Sequence, residues 1–206
     1  MSDITKNDNS NPLADILSFA MPREKASEAA EALLSKYGTL GTMLSENEDE
    51  LCSTGNINMN TALLIKLLGY INSRRVTDNF EFGKEHAELE ICEYIRSLFY
   101  GISVETVYML LLDDKGRVIG CEYMGEGTVN ASDVYPRRLL ECAVKRKAKS
   151  VILAHNHPKG MAEPSREDIA TTKRLCEIFL TAKIRLLAHY IAADGDIQKI
   201  DSGIFF

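Results

Sequence analysis

The chain of 206 residues contains no tryptophan and has only five cysteines, at wide spacings. No C-x-x-C pair occurs and the cysteine count is odd, which excludes an obvious disulfide framework or cysteine-rich zinc site. The sequence therefore predicts five buried thiols in a reducing compartment, at Cys52, Cys92, Cys121, Cys142 and Cys176.

Long apolar runs and an excess of positive charge are also missing. No stretch approaches the roughly 18 apolar residues of a membrane span. The polar segment Met1–Asn11 lacks the basic-then-apolar order of a signal peptide, so we expect a cytoplasmic protein. The net charge of −6 disfavours a dedicated nucleic-acid binder, although it leaves room for a local basic patch.

The residues that are present indicate two parts. We predict a disordered tail over 1–11, a helical domain over 12–76 and a linker over Val76–Glu81. From residue 80 to 206 the periodicity indicates an α/β domain, with the order helix, strand, strand, helix, strand, helix, strand. Its predicted elements are Glu85–Phe99, Thr106–Leu112, Arg117–Met124, Pro136–Lys147, Ser150–Ala154, Arg166–Thr181 and Arg185–Ala192.

One segment combines metal-ligand residue types at suitable spacing. His155 and His157 follow a buried strand, and side chains two apart on a strand point to the same face. Pro158 and Gly160 turn the chain, and Asp168 lies one turn inside the next helix. Two imidazoles and one carboxylate suit Zn²⁺ and leave a fourth position open, as in catalytic zinc sites, where the metal lowers the pKa of its water to about 7.

Simpler interpretations of the same residues remain open at this point. The histidine pair could be two satisfied polar residues at a strand end. Ser165-x-x-Asp168 has the pattern of a helix capping box, with the serine as N-cap. Capping and a functional serine hydroxyl are compatible with each other.

The combination of motifs resembles the JAMM (MPN-type) metalloproteases, and the wider sequence resembles the bacterial RadC family. The JAMM pattern is complete: His155-Asn-His157-Pro158, then Lys159–Pro164, then Ser165-Arg-Glu-Asp168. The RadC resemblance covers roughly residues 80–206, through Tyr108–Asp113, Gly127–Val129, Val134–Arg137, Ile152–Gly160 and Asp194-Gly195. It implies a mixed sheet flanked by helices, in a cytidine-deaminase-like arrangement.

The resemblance also implies roles for further residues. Glu105, just before the first strand, would be the general base, and Ser165 would donate a hydrogen bond to the developing oxyanion. The reaction would be zinc-dependent hydrolysis of a peptide, isopeptide or other amide, with specificity in loops such as Gly125–Asp133 and Lys159–Pro164. His189, in the last strand, would be either a residue that supports a metal ligand or an ordinary core or surface histidine.

Two alternatives to hydrolysis stay open, as does the oligomeric state. The first is a DNA-associated repair or recombination protein with structural zinc, in keeping with the historical name of the RadC family. A basic run at Arg137, Arg138, Lys145–Lys147 and Lys149 favours it, although such a run also suits a solvated helix face. The resemblance also implies a helix-hairpin-helix turn in the helical domain, which members of the RadC family often carry and which presents Gly-x-Gly amides to DNA phosphate, but only Gly55 matches it here. The second alternative is a non-catalytic interaction scaffold.

Overall fold

The computed structural model describes residues 11–38, 40–127, 134–158, 160–193 and 195–200. Their contacts divide the chain into two compact units, Met1–Ile71 and Asn72–Phe206. Of the predicted tail over 1–11, only Asn11 belongs to the described residues. The Asn11 side chain accepts a hydrogen bond from the backbone N–H of Leu13 and so caps the first helix.

The first unit is helical, as predicted. It contains α1 (Pro12–Leu17), α2 (Arg23–Tyr37), α3 (Leu40–Ser45), α4 (Glu48–Gly55) and the start of α5 (Met59–Asn79). Small and branched apolar side chains at helical spacing on α2, including Ala26, Ala30 and Leu33, are fully buried in its core. The predicted start of the linker is wrong, because α5 continues through Asn79. An ion pair between Arg74 and Asp78, one turn apart, supports this extension.

The turn between α4 and α5 lies at the position of the helix-hairpin-helix turn, where only Gly55 matches the Gly-x-Gly pattern. Asn56 ends α4 in the left-handed conformation, with φ 47° and ψ 46°, which asparagine tolerates better than most residues. The Asn58 side chain then accepts a hydrogen bond of 2.9 Å from the Thr61 N–H and caps α5. Lys66, the first cation after the turn, has its ammonium group bonded to the carbonyls of Leu44 and Glu46.

The second unit has a mixed five-stranded sheet with helices packed against it. Its elements are α6 (Glu88–Leu98), β1 (Thr106–Leu112), β2 (Val118–Glu126), α7 (Val134–Lys145), β3 (Ser150–Asn156), α8 (Arg166–Thr181), β4 (Arg185–Ala193) and β5 (Asp196–Lys199). The strand order is β2-β1-β3-β4-β5, with β3 and β4 parallel and every other neighbouring pair antiparallel. The α/β class and the mixed sheet are therefore confirmed, and β5 is an addition that the sequence pattern did not predict.

Strand alternation divides the apolar side chains between two cores, one on each face of the sheet. Val107, Met109 and Leu153 pack with side chains of α7 and α8, whereas Leu110 and Ala154 pack with α6. The strands β1, β3 and β4 are mostly buried on both faces, so they read as nearly continuous apolar runs. The cores consist of hydrophobic side chains, so the fold has an apolar source of stability that is independent of any metal.

The cysteines are free thiols, but only Cys176 is fully buried and the other four are partly exposed. The prediction of five buried thiols was therefore wrong for most of them. Burial raises the pKa of four of these thiols, at Cys92, Cys121, Cys142 and Cys176. A raised pKa disfavours the thiolate, so none of the four is prepared as a nucleophile.

Candidate metal centre

The three predicted ligands come together where β3 ends and α8 begins. Within the described residues, His155, His157 and Asp168 form the one cluster of metal-ligand side chains, and their ligand atoms all lie within 4.8 Å of one another. The Nε2 atoms of the two histidines are 3.0 Å apart. Asp168 Oδ1 lies 3.3 Å from Nε2 of His155, and Oδ2 lies 3.4 Å from Nε2 of His157.

Each ligand reaches this position for a local reason. His155 and His157 continue the face of β3 that carries Leu153, and β3 pairs with β1 and β4 on its two sides. The His157 N–H donates to the Ala192 carbonyl at 2.9 Å and so holds His157 at the strand end. Asp168 is the third residue after the N-cap of α8, whose first turn therefore directs its carboxylate back toward the strand.

Ser165 and Asp168 form the capping box that the sequence pattern predicted. The Ser165 hydroxyl accepts from the Asp168 N–H at 3.1 Å and donates to Asp168 Oδ2 at 2.6 Å. The Ser165 N–H donates to the same oxygen at 2.8 Å. Capping and ligand orientation thus coincide, because the bonds that start the helix also fix the carboxylate.

The carboxylate of Asp168 is held in its ionised form. Burial acts to raise its pKa, but the Ser165 hydrogen bonds, together with His155 when that ring is protonated, outweigh this and keep the pKa of Asp168 well below its usual range. An ionised carboxylate beside two imidazoles is a donor set that attracts a divalent cation. Asp168 and His155 are buried, whereas His157 is partly exposed, so solvent reaches the cluster at His157.

The hydrogen-bond partner of His157 Nδ1 identifies the tautomer of this ring. Its Nδ1 lies 3.1 Å from the carbonyl oxygen of Met161, which can only accept a hydrogen bond. A neutral His157 must therefore carry its proton on Nδ1, which leaves the Nε2 lone pair facing His155 and Asp168. Lone pairs that converge in this way repel one another unless a cation lies between them, so the residues fit a bound metal ion.

Glu105 lies at the entrance of β1 and is partly buried. Val107 is paired with His155 across the sheet, and continuing that register one step along the same face sets Glu105 opposite His157. The Glu105 carbonyl accepts a hydrogen bond of 2.8 Å from the Gly127 N–H, which extends the ladder beyond the first residue of β1. The backbone thus places Glu105 on the face of the sheet that carries the two histidines.

Two residues that contribute to this region received little or no weight from the sequence alone. Asn156, between the two histidines, is buried and accepts at Oδ1 from the Thr106 N–H at 2.7 Å, while its Nδ2 donates to the Val104 carbonyl at 3.1 Å. His189 is completely buried, and its Nε2 lies 2.9 Å from Nδ1 of His155. Burial lowers the pKa of His189 to about 3, with a smaller contribution from His155, and keeps this ring neutral.

The capping serine gives a direct stability prediction. We expect Ser165→Ala to lower the free energy of unfolding of metal-free protein by about 1 kcal/mol, because the Asp168 N–H at the start of α8 loses its acceptor. Urea denaturation checks this, with Ser165→Thr as the matched control that retains a hydroxyl. Equal stability of Ser165→Ala and the unmodified protein would contradict the capping role.

Comparison with known proteins finds relatives that match most of this chain. An UPF0758 protein of Aliivibrio salmonicida is 34% identical over 191 residues, which cover 90% of this chain and 83% of the relative. An UPF0758 protein of Aliivibrio fischeri is 32% identical over 190 residues, with the same coverage. One from Vibrio vulnificus is 33% identical over 175 residues, covering 82% of this chain and 76% of the relative.

The RadC-like JAB domain family matches residues 86–201, which include all of the sheet and every predicted site residue. The second unit thus has the fold of JAMM-type metallohydrolases. This confirms the resemblance inferred from the His-x-His-Pro and Ser-x-x-Asp motifs. The chain belongs to the RadC family.

Proposed function

We propose that this protein is a zinc-dependent hydrolase of the JAMM type that cleaves peptide, isopeptide or related amide bonds. The observation that carries the proposal is the convergence of two imidazole nitrogens and an ionised carboxylate at 3.0 to 3.4 Å, at the end of a strand. Three protein ligands of these types are characteristic of catalytic zinc, which keeps an open position. When bound, zinc supplies Lewis-acid activation of water and of a substrate carbonyl.

Glu105 is the residue we propose as general base. Its register beside His157 and its partial burial support this role, because a base must lie within hydrogen-bond reach of the attacking water. In this role the Glu105 carboxylate takes a proton from the water as it attacks the carbonyl carbon. It then passes that proton to the nitrogen of the leaving amine.

Ser165 has two proposed tasks that follow from one hydroxyl group. When the hydroxyl donates its hydrogen bond to Asp168 Oδ2, it orients the ligand carboxylate. For the oxyanion role, the hydroxyl would rotate its proton from Asp168 to the substrate oxygen as negative charge develops there. The bond of 2.6 Å from the hydroxyl to Asp168 Oδ2 supports the first task, and the position of Ser165 beside a proposed metal ligand supports the second.

The DNA-binding alternative receives less support from the basic groups. Arg137 of α7 is paired with Glu141 at 2.7 Å, and Arg146, directly after α7, is paired with Glu122. In the helical unit, burial lowers the pKa of Lys66, whose ammonium group contacts two backbone carbonyls. Side chains that already have such partners would have to give them up to bind phosphate.

None of the described helices is long and apolar enough to span a membrane.

Hydrolysis is tested with zinc-loaded protein and a panel of linear peptides, lysine-linked isopeptides and small amides. We expect amine release from at least one of these classes, abolished by a chelator and restored by zinc. Turnover that persists in metal-free protein would overturn the proposal. Zinc binding without turnover on the whole panel would favour an interaction scaffold instead.

A further inference from the structure

A buried hydrogen-bonded series leads away from the metal centre into the core of the second unit. His155 Nδ1 lies 2.9 Å from His189 Nε2, and His189 Nδ1 lies 2.7 Å from the hydroxyl of Thr172. That hydroxyl donates to the backbone carbonyl of Asp168 at 2.6 Å. The series therefore begins at one ligand and ends on the backbone of another, and each of its three side chains is fully buried.

The direction of every proton in this series follows from its last member. A threonine hydroxyl has one proton, and Thr172 gives it to the Asp168 carbonyl, so toward His189 this hydroxyl can only accept. His189 must therefore donate from Nδ1, which in a neutral ring leaves its Nε2 as an acceptor. His155 must then donate from Nδ1, and its lone pair lies on Nε2, the nitrogen that faces His157 and Asp168.

We propose that Thr172 and His189 are positioning residues that fix the tautomer and ring orientation of His155, so that its Nε2 lone pair points into the metal site. An imidazole without such partners can carry its proton on either nitrogen, and only one of the two forms can bind a metal through Nε2. Partners of this kind, behind a ligand histidine, typically contribute a factor of 10 to 100 in metal affinity. The inference rests on the proposed metal site.

A register shift in β4 is what makes the arrangement possible. Val151 pairs with Leu186, but Ile152 pairs with Ala188, so one extra residue is inserted at Leu187. Leu186 packs in the core beside α8, whereas Ala188 packs in the core on the opposite face. The insertion resets the alternation and turns His189 to the face of the sheet that packs against α8. His155 of β3 lies on this face, and Thr172 projects toward it from α8.

The test uses metal-free protein labelled with ¹⁵N-histidine, which gives few ring signals because the chain has only four histidines. Two-bond ¹H–¹⁵N spectra at mildly alkaline pH, where free imidazoles are neutral, identify the protonated nitrogen of each ring. In the unmodified protein and in Thr172→Ser, we expect the His155 proton on Nδ1. In Thr172→Val, His189 loses its acceptor and can place its proton on Nε2, so we expect the His155 proton to move to its own Nε2.

Zinc affinity provides the second measurement. We expect Thr172→Val to weaken zinc binding about 10- to 100-fold and Thr172→Ser to leave it unchanged. His189 is the middle residue of the series. The variant His189→Gln keeps a side-chain carbonyl that can accept from His155 Nδ1, so it should bind zinc more tightly than His189→Leu. This second pair keeps the inference testable if Thr172→Val does not fold.

An unchanged His155 tautomer in Thr172→Val together with unchanged zinc affinity would overturn the inference and leave the zinc site intact. Equal affinities of His189→Gln and His189→Leu would also overturn it. Failure of the unmodified protein to bind zinc would instead overturn the proposed function. In that case the tautomer spectra of metal-free protein would still test the positioning role of Thr172 and His189, because these spectra need neither zinc nor turnover.

Discussion

Protein purified without added zinc should contain zinc, and the variant His155→Ala plus His157→Ala should contain none. The double substitution removes both nitrogen ligands, so Asp168 alone remains of the cluster. A single carboxylate cannot provide the three protein ligands of an open zinc site. Metal analysis by mass spectrometry measures this directly.

Thermal unfolding gives an independent measure of the same loss. A ligand that binds only the folded state stabilises it by about 2.7 kcal/mol when its free concentration is 100 times Kd. Added zinc should therefore raise the melting temperature of the unmodified protein and leave that of the double variant unchanged. Both proteins should fold without zinc, because the two cores beside the sheet are apolar.

His86→Ala is the matched control, since His86 is bonded to Glu90 and to the Glu81 carbonyl and is not one of the clustered ligands. This variant should keep its zinc, whatever its effect on stability through the lost stacking on Phe80. Equal zinc contents in the unmodified protein and the double variant would refute the site.

The second large effect is expected for Glu105→Gln. The amide has nearly the same shape as the carboxylate but cannot take a proton, so turnover should fall by about 10²- to 10⁴-fold. Zinc content and melting temperature should stay unchanged, because Glu105 is not one of the clustered ligands. The measurement is the rate on the best substrate of the panel, with zinc content determined on the same sample.

Glu177→Gln is the control for this substitution, because Glu177 is exposed on α8 near its C-terminal end. It should have the turnover of the unmodified protein. Loss of folding or of zinc in Glu105→Gln would indicate a structural role for this glutamate. Undiminished turnover with normal zinc would exclude it as the base.

Local geometry made the three clustered residues possible ligands, and the JAMM motif spacing turned this possibility into a prediction. Strand alternation sets His155 and His157 on one face, and the capping pattern sets Asp168 in the first turn of α8. The β1 register that brings Glu105 beside them depends on pairing between distant strands. No local pattern encodes that pairing, so in the sequence analysis the role of Glu105 rested on the family resemblance.

Other features were outside the reach of periodicity. The orientation of His189 depends on the insertion at Leu187, and a strand with one extra residue has no distinct signature in an apolar run. The continuation of α5 through Val76 carries a surface ion pair between Arg74 and Asp78 but no regular apolar stripe that would mark it as a helix in the sequence. The predicted loop Gly125–Asp133 lies outside the described residues beyond Gly127.

Asn156 has a mechanical consequence for the whole site. Its amide is bonded to the peptide groups on both sides of Glu105, at Thr106 and Val104, while its own backbone joins the two histidines. The Asn156 side chain therefore links the backbone of the proposed base to the backbone of two proposed ligands. A movement of either strand end would carry all three groups together, so the spacing between them would be preserved while the opening toward substrate changes.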